Sequence, residues 1–179
     1  VRASPALRVT LAAGAVLWLG GLAALTQEQI AVWRDTDEIW RRSLAVDPDC
    51  VFCHGQWGSL LGNRGQLDEA LAHFERAVAL RPNRANHRAN LGLALLKARR
   101  PGEAEEHLRR ALVEEPTNAD MRWRLGLALA QQGRLVKASR EVERAVADSP
   151  RHVDALTTLG MLLIDLGRPG EAVVHLERA

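Results

Sequence analysis

The sequence predicts an all-α solenoid of paired helices, and three observations carry that prediction. Ala, Leu, Arg and Glu dominate its 179 residues, all strong helix formers, and no run of β-branched and aromatic residues marks a strand. Pro48, Pro82, Pro116 and Pro150 recur at a constant spacing of 34 residues. Small residues keep the same interval: Gly58, Gly92, Gly126 and Gly160 form one column, Ala70, Ala104, Ala138 and Ala172 a second, and Ala77, Ala111, Ala145 and Ala179 a third. An aromatic content of 4%, with no tyrosine, argues against a large mixed core. The 24 basic and 22 acidic side chains are spread along the chain for a net charge of +2, so no basic block points to nucleic acid.

Residues 1–26 read as a transmembrane or signal-anchor segment. From Val9 to Thr26 no side chain is charged. As a helix this stretch reaches about 27 Å, close to the hydrocarbon thickness of a bilayer. Arg2 and Arg8 precede it, Gln27 and Glu28 follow, and Trp33 and Trp40 lie beyond, near where interfacial aromatics gather. A cleaved signal peptide and a buried core helix are the alternatives, and the poor small-residue pattern at Ala24-Leu25-Thr26 weakens the first. Arg34, Arg41 and Arg42 counterbalance Arg2 and Arg8 in the positive-inside count, while anchor and signal peptide alike favour a translocated C-terminal part. The expected location is therefore the membrane, with the repeats on its non-cytoplasmic side.

Residues 27–50 follow as a linking helix and half-repeat. Asp35-Thr36-Asp37-Glu38 has the form of a capping box, and Thr36, Trp40 and Ser43 fall at small, bulky and small positions of a second helix. Such a half-repeat would cover the apolar face of the first full unit. Four units come next, at 51–84, 85–118, 119–152 and a truncated 153–179. Two amphipathic helices of about 12 to 14 residues and a short turn account for one period. Glycine and alanine at the crossings let the backbones approach closely. Gly65 and Gly133 are placed to end first helices, and Pro101 and Pro169 to begin second ones at the first helical position. Ala179 would fall inside a helix, which leads us to expect further repeats or a cap beyond it.

Leu91-Gly92, Leu125-Gly126 and Leu159-Gly160, with Trp57-Gly58 as a variant, stand before the alanine columns, and Phe74, Leu108, Val142 and Leu176 fill a bulky position between the alanines. In this pattern residues 51–179 resemble the tetratricopeptide repeat family. The resemblance implies a right-handed superhelix of antiparallel helix pairs that binds peptides in a groove lined by first helices. Carried onto this frame, the groove positions are Gln56 and Ser59, then Asn86, Asn90, Leu93 and Lys97, then Asp120, Trp123, Arg124 and Leu127. Among them Asn90, Trp123 and Arg124 have the chemistry that most often supplies interface energy or specificity. The order of a membrane segment, the run through Trp33, Asp35, Trp40 and Pro48, and then repeats is similar, more loosely, to the C-terminal region of multi-span membrane glycosyltransferase-like proteins. In those proteins the repeats recruit polypeptide substrates, and the catalytic part would lie upstream of Val1.

Cys50-Val51-Phe52-Cys53-His54 has the C-x-x-C-H spacing of a covalent haem site, in which two thiols bind the vinyl groups and the histidine ligates iron. The repeat boundary falls inside this motif, so two packing cysteines are the preferred reading. A disulfide or redox pair at a helix N-terminus stands second and haem third. A structural zinc site would need a fourth nearby ligand. His73, His107 and His175 share one repeat position, and equivalent positions in stacked repeats lie about 10 Å apart, too far for a shared metal; they read as surface or groove histidines. No phosphate loop, no Ser-His-Asp set and no isolated carboxylate pair occurs, so no catalytic residue, cofactor, nucleic acid or small-molecule substrate is expected. The sequence thus points to a membrane-tethered interaction module for a protein partner, with the substrate-recruiting domain of a glycosyltransferase as the alternative and a haem protein as the minor one.

Overall fold

The computed structural model describes residues 36–179. The stretch Val9–Thr26, and with it the expected membrane helix, lies outside the described residues, as do Trp33 and Asp35. Among the described residues no helix is long and apolar enough to cross a membrane.

The chain divides at Pro48 into two compact units. The described part of the first holds helix α1 (Thr36–Val46), with Asp37 and Glu38 in its first turn and an Arg42–Glu38 bond of 2.8 Å along it. The second unit, Asp49–Ala179, is a run of helix pairs: α2 (Val51–Asn63) with α3 (Leu67–Leu80), α4 (Ala85–Lys97) with α5 (Pro101–Glu114), α6 (Ala119–Gln131) with α7 (Leu135–Asp148), and α8 (Val153–Asp165) with α9 (Pro169–Leu176). Within this second unit each helix packs on the next, and the first helices α2, α4, α6 and α8 also touch in series. Among the described residues there is no strand, so the unit is an all-α repeat fold.

The glycine and bulky columns of the sequence meet inside each pair. A Cβ added at Gly58 would lie 3.1 Å from the Phe74 ring, one at Gly92 2.7 Å from Leu108, one at Gly126 2.3 Å from Val142 and one at Gly160 2.5 Å from Leu176. A larger residue would push the two helices apart. Ala70, Ala104, Ala138 and Ala172 are buried beside them, as are Ala77, Ala111 and Ala145. The third column breaks at its end: α9 stops at Leu176, and Ala179 is exposed beyond it, bonded only through its N–H to the Leu176 carbonyl at 3.3 Å. The core then runs along the stack through Leu91, Leu95, Leu108, Leu125, Leu129, Leu156, Leu159 and Leu163. Burying each such leucine contributes about 1.5–3 kcal/mol.

The turns repeat as closely as the crossings. Gly65, Arg99, Gly133 and Gly167 all have positive φ, and the residue after each donates its N–H back to the carbonyl of Leu61, Leu95, Leu129 or Leu163 at 2.8–3.0 Å. That bond satisfies carbonyls the helix end leaves open. Pro101 and Pro169 open α5 and α9, where a missing N–H costs nothing. Three of the four first helices start on side-chain caps: Cys50 Sγ accepts from the Cys53 N–H, Asn118 Oδ1 from Met121 and His152 Nδ1 from Ala155, whereas α4 starts at Arg84 without one.

Candidate functional site

Four of the groove residues expected from the sequence converge. Ser59 on α2 and Asn90, Leu93 and Lys97 on α4 line one depression of about 70 Å³, together with Gly62, Asn63, Phe74 and Ala94. Phe74 and Leu93 give it an apolar wall; Ser59, Asn63 and Asn90 supply a hydroxyl and two amides. Lys97 is the one charged residue in the lining, and it is exposed. Gly62 brings no side chain to the lining, and a Cβ added there would lie 3.7 Å from Ala70 Cβ of α3.

The remaining expected residues are placed differently. Gln56 is exposed on α2. Asn86 lines a separate depression of about 320 Å³ with Val51, Phe52, Arg81, Arg84 and His87. Leu127 is half-buried against the core. Trp123 and Arg124 are engaged inside the solenoid: the indole N–H donates to Thr158 Oγ1 at 2.9 Å, its ring lies 5.5 Å from His152, and the Arg124 guanidinium donates to the Ala89 carbonyl at 3.2 Å and pairs with Asp120 at 2.8 Å. Only 16% of the Arg124 side chain is exposed, and its buried Nε has no hydrogen-bond partner. These two side chains tie α6 to the neighbouring first helices α8 and α4.

The cysteine motif resolves against the preferred reading. Cys50 and Cys53 are joined in a disulfide, not packed as separate thiols. With both sulfurs bonded to each other, neither is available to form a thioether to a haem vinyl group. The sulfurs are close because Cys50 caps α2 and Cys53 lies one turn in, so the helix start itself brings them together. His54 is 8% exposed, and its Nδ1 lies 2.9 Å from His73 Nδ1 on α3. The His73 ring stacks on Trp57 with centroids 4.6 Å apart. Burial, and His54 beside it, hold the His73 imidazole below its ordinary value, against the opposing pull of Glu69. His73 is therefore part of a helix–helix contact, not a surface histidine. Among the described residues no group of three or more His, Cys, Asp or Glu side chains is arranged to hold a metal ion.

This cluster was missed in the sequence, although the repeat carries its signal. Residues 54 and 73 are 19 apart, and the equivalent pair in the third unit, Arg122 and Glu141, forms an ion pair at 3.4 Å. In the second unit Arg88 acts on His107 across the same offset, and burial with Arg88 holds that imidazole below its usual value. Reading the two positions together would have paired His54 with His73.

Two models of the tetratricopeptide repeat match the chain, one at residues 56–119 and 90–142 and the other at 153–178, and together they cover more than half of it. The chain belongs to the tetratricopeptide repeat family. Among curated proteins, a tetratricopeptide stretch of 70 residues is 31% identical to Protein O-mannosyl-transferase Tmtc2 of Drosophila melanogaster; the match takes in 39% of this chain and 7% of that protein's length. Among solved structures, PilW, a type IV pilus biogenesis factor, superposes with a TM-score of 0.75 at 22% identity, over 88% of this chain and 73% of its own. YrrB, a tetratricopeptide repeat protein with an unusual peptide-binding site, superposes with a TM-score of 0.65 at 22% identity, over 88% and 81%. At these identities the two structures share the fold.

Proposed function

We propose that this chain is a protein-interaction module that holds an extended segment of a partner polypeptide on the face built by its first helices. The observation that carries the reading is the depression where Ser59, Asn90, Leu93 and Lys97 converge from two successive first helices. Amides and a hydroxyl hydrogen-bond a peptide backbone, Phe74 and Leu93 take an apolar side chain, and the unopposed Lys97 favours a carboxylate beside it. The binding site noted for YrrB, on the same fold, agrees with this use. Gln56, Asn86, Asp120, Trp123, Arg124 and Leu127 would extend or brace the same face.

The test is a peptide selected by display against the full chain, with affinity measured by titration calorimetry. Asn90→Ala combined with Lys97→Glu should weaken it by about tenfold or more, which corresponds to about 1.4 kcal/mol. Unchanged affinity would remove the depression from the binding face.

A second reading is favoured by the match to Tmtc2: the module serves as the substrate-recruiting part of a membrane glycosyltransferase, on the non-cytoplasmic side, tethered through residues 1–26. The uncharged run Val9–Thr26 supports the tether, and the Cys50–Cys53 disulfide supports an oxidising compartment. Alkaline extraction of membranes from cells making the chain decides the tether: recovery in the soluble fraction would exclude it.

A further inference from the structure

We propose that the Cys50–Cys53 disulfide is a thiol–disulfide exchange site for a cysteine-bearing, acidic segment of a partner polypeptide. The two sulfurs are unequal. Cys50 is half-exposed at the start of α2, whereas Cys53 is 7% exposed within its first turn. An incoming thiolate therefore reaches Cys50, and Cys53 is the sulfur it displaces. The Cys53 N–H already donates to Cys50 Sγ at 3.2 Å, at the positive end of α2, where a thiolate on Cys50 is stabilised when it leaves. The carboxylate of Asp49, next to Cys50, is paired with Arg76 of α3, so its charge is countered.

A docking place adjoins the disulfide. Val51 and Phe52, the two residues between the cysteines, line the depression that continues through Arg81, Arg84, Asn86 and His87. Phe52 is 65% exposed, and both arginines are exposed. An apolar wall with two cations suits an extended segment carrying carboxylates near its cysteine, and the same cations draw a thiolate toward Cys50. The His54–His73 contact, immediately after Cys53, fastens this end of α2 to α3, so Cys53 stays in place once its partner sulfur has gone.

The step balances with a dithiol as reductant. A thiolate of the segment attacks Cys50 Sγ; the Cys50–Cys53 bond breaks, a mixed disulfide forms, and Cys53 leaves with the electron pair and takes a proton. The segment's second thiolate then attacks its own sulfur in the mixed disulfide, and Cys50 leaves as the thiolate and is protonated. Two electrons and two protons pass from the segment to the chain, which ends as the dithiol.

The experiment mixes the oxidised full chain with a synthetic peptide that holds two cysteines flanked by glutamates, quenches with acid, alkylates and weighs the products. The reference is the excised heptapeptide Asp49–Gly55 in its disulfide form. The folded chain should oxidise one equivalent of peptide at a rate about tenfold or more above the reference, since position and charge act only in the fold. Arg81→Ala with Arg84→Ala should remove most of that advantage, and replacing the flanking glutamates by lysines should do the same. Offered the same peptide in its disulfide form, Cys53→Ser should attack it through Cys50 and form the mixed disulfide, with the peptide's other sulfur leaving as a thiolate, faster than Cys50→Ser does so through Cys53. A chain rate equal to that of the excised peptide overturns the proposal whether or not the serine variants fold. Equal trapping by two folded serine variants overturns it as well.

Discussion

A methyl group at Gly126 would sit 2.3 Å from Val142 Cγ2 and 3.4 Å from the Ala138 carbonyl oxygen, at the tightest of the four crossings. Valine is branched at Cβ and cannot swing clear within a helix. Gly126→Ala gains up to about 1 kcal/mol of helix propensity and loses more to overpacking, so a net loss of about 1–2 kcal/mol is expected in urea unfolding. At Gly58 the nearest atom is a Phe74 ring carbon at 3.1 Å, and Gly58→Ala should stay within about 1 kcal/mol of the parent because the two terms nearly cancel there. Arg99 is the opposite case. It holds φ 59 at the turn position where Gly65, Gly133 and Gly167 stand in the other units. Left-handed backbone costs a non-glycine residue roughly 1–2 kcal/mol, and glycine returns part of that through the freedom of the unfolded chain. Arg99→Gly should therefore raise the unfolding midpoint, and Gly133→Arg should lower it. At this scale the sequence is legible wherever a column is unbroken. Gly58 and Phe74 could be paired from their spacing alone, whereas Arg99 hid its turn because the residue that signals left-handed backbone is missing there.

Between elements, the contacts that decide behaviour are polar and were the least legible. Glu105 of α5 accepts from Arg109 at 2.9 Å, from Gln132 at 2.9 Å and from Arg134 at 2.7 Å, and only 15% of its side chain is exposed. It clamps α5 to the turn between α6 and α7. Glu105→Ala removes three charge-assisted hydrogen bonds at once, although Gln132 keeps the Pro101 and Ala128 carbonyls as acceptors, and should cost about 1–3 kcal/mol in the same unfolding assay. Glu106→Ala, whose partner Arg110 is as exposed as itself, should cost under about 0.5 kcal/mol. No spacing rule announced the Glu105 cluster, because its members come from two elements and a turn. The histidine contacts give a pH dependence. His73 and His107 both titrate below their ordinary 6.5 in the folded chain, mainly through burial. Between those lowered values and 6.5 the unfolded chain holds more protons, so stability is complete above about pH 6.5 and falls as the pH drops toward the folded values. Below them, these two groups cause no further loss. Urea midpoints taken from pH 7.5 to 5 should decline through that window, and His73→Gln with His107→Gln should flatten the decline; an unchanged slope would assign it to other groups.

Across the whole repeat unit, stability adds up along one direction, because each helix pair meets only its neighbours. The sequence foretold this architecture well, since one period fixed the helix pairs, their turns and the residues at their crossings. It offered the Cys50–Cys53 disulfide only as a second reading, and it was silent on the inward use of Trp123 and Arg124, which depends on what faces each side chain in the next unit. The linear arrangement has a measurable consequence. In the middle of the stack, Leu108, Leu125 and Val142 are fully buried with helices on both sides. At its end, Met161, Ile164, Val173, Val174 and Leu176 are between 38% and 55% exposed, and α9 has only 8 residues. Fewer buried contacts mean a lower local opening energy. Native-state hydrogen exchange should therefore show α9 opening first, α8 next, and α5 to α7 last, with opening energies rising toward the middle. Leu129→Ala, in the middle, should cost about 2–5 kcal/mol and lower the slowest amides, yet leave the exchange of α9 nearly unchanged, because α9 opens without disturbing α6. If instead every slow amide from α2 to α9 opened at a single energy, and Leu129→Ala lowered them all equally, the unit would be one cooperative block, and the additive picture of stacked neighbours would fail.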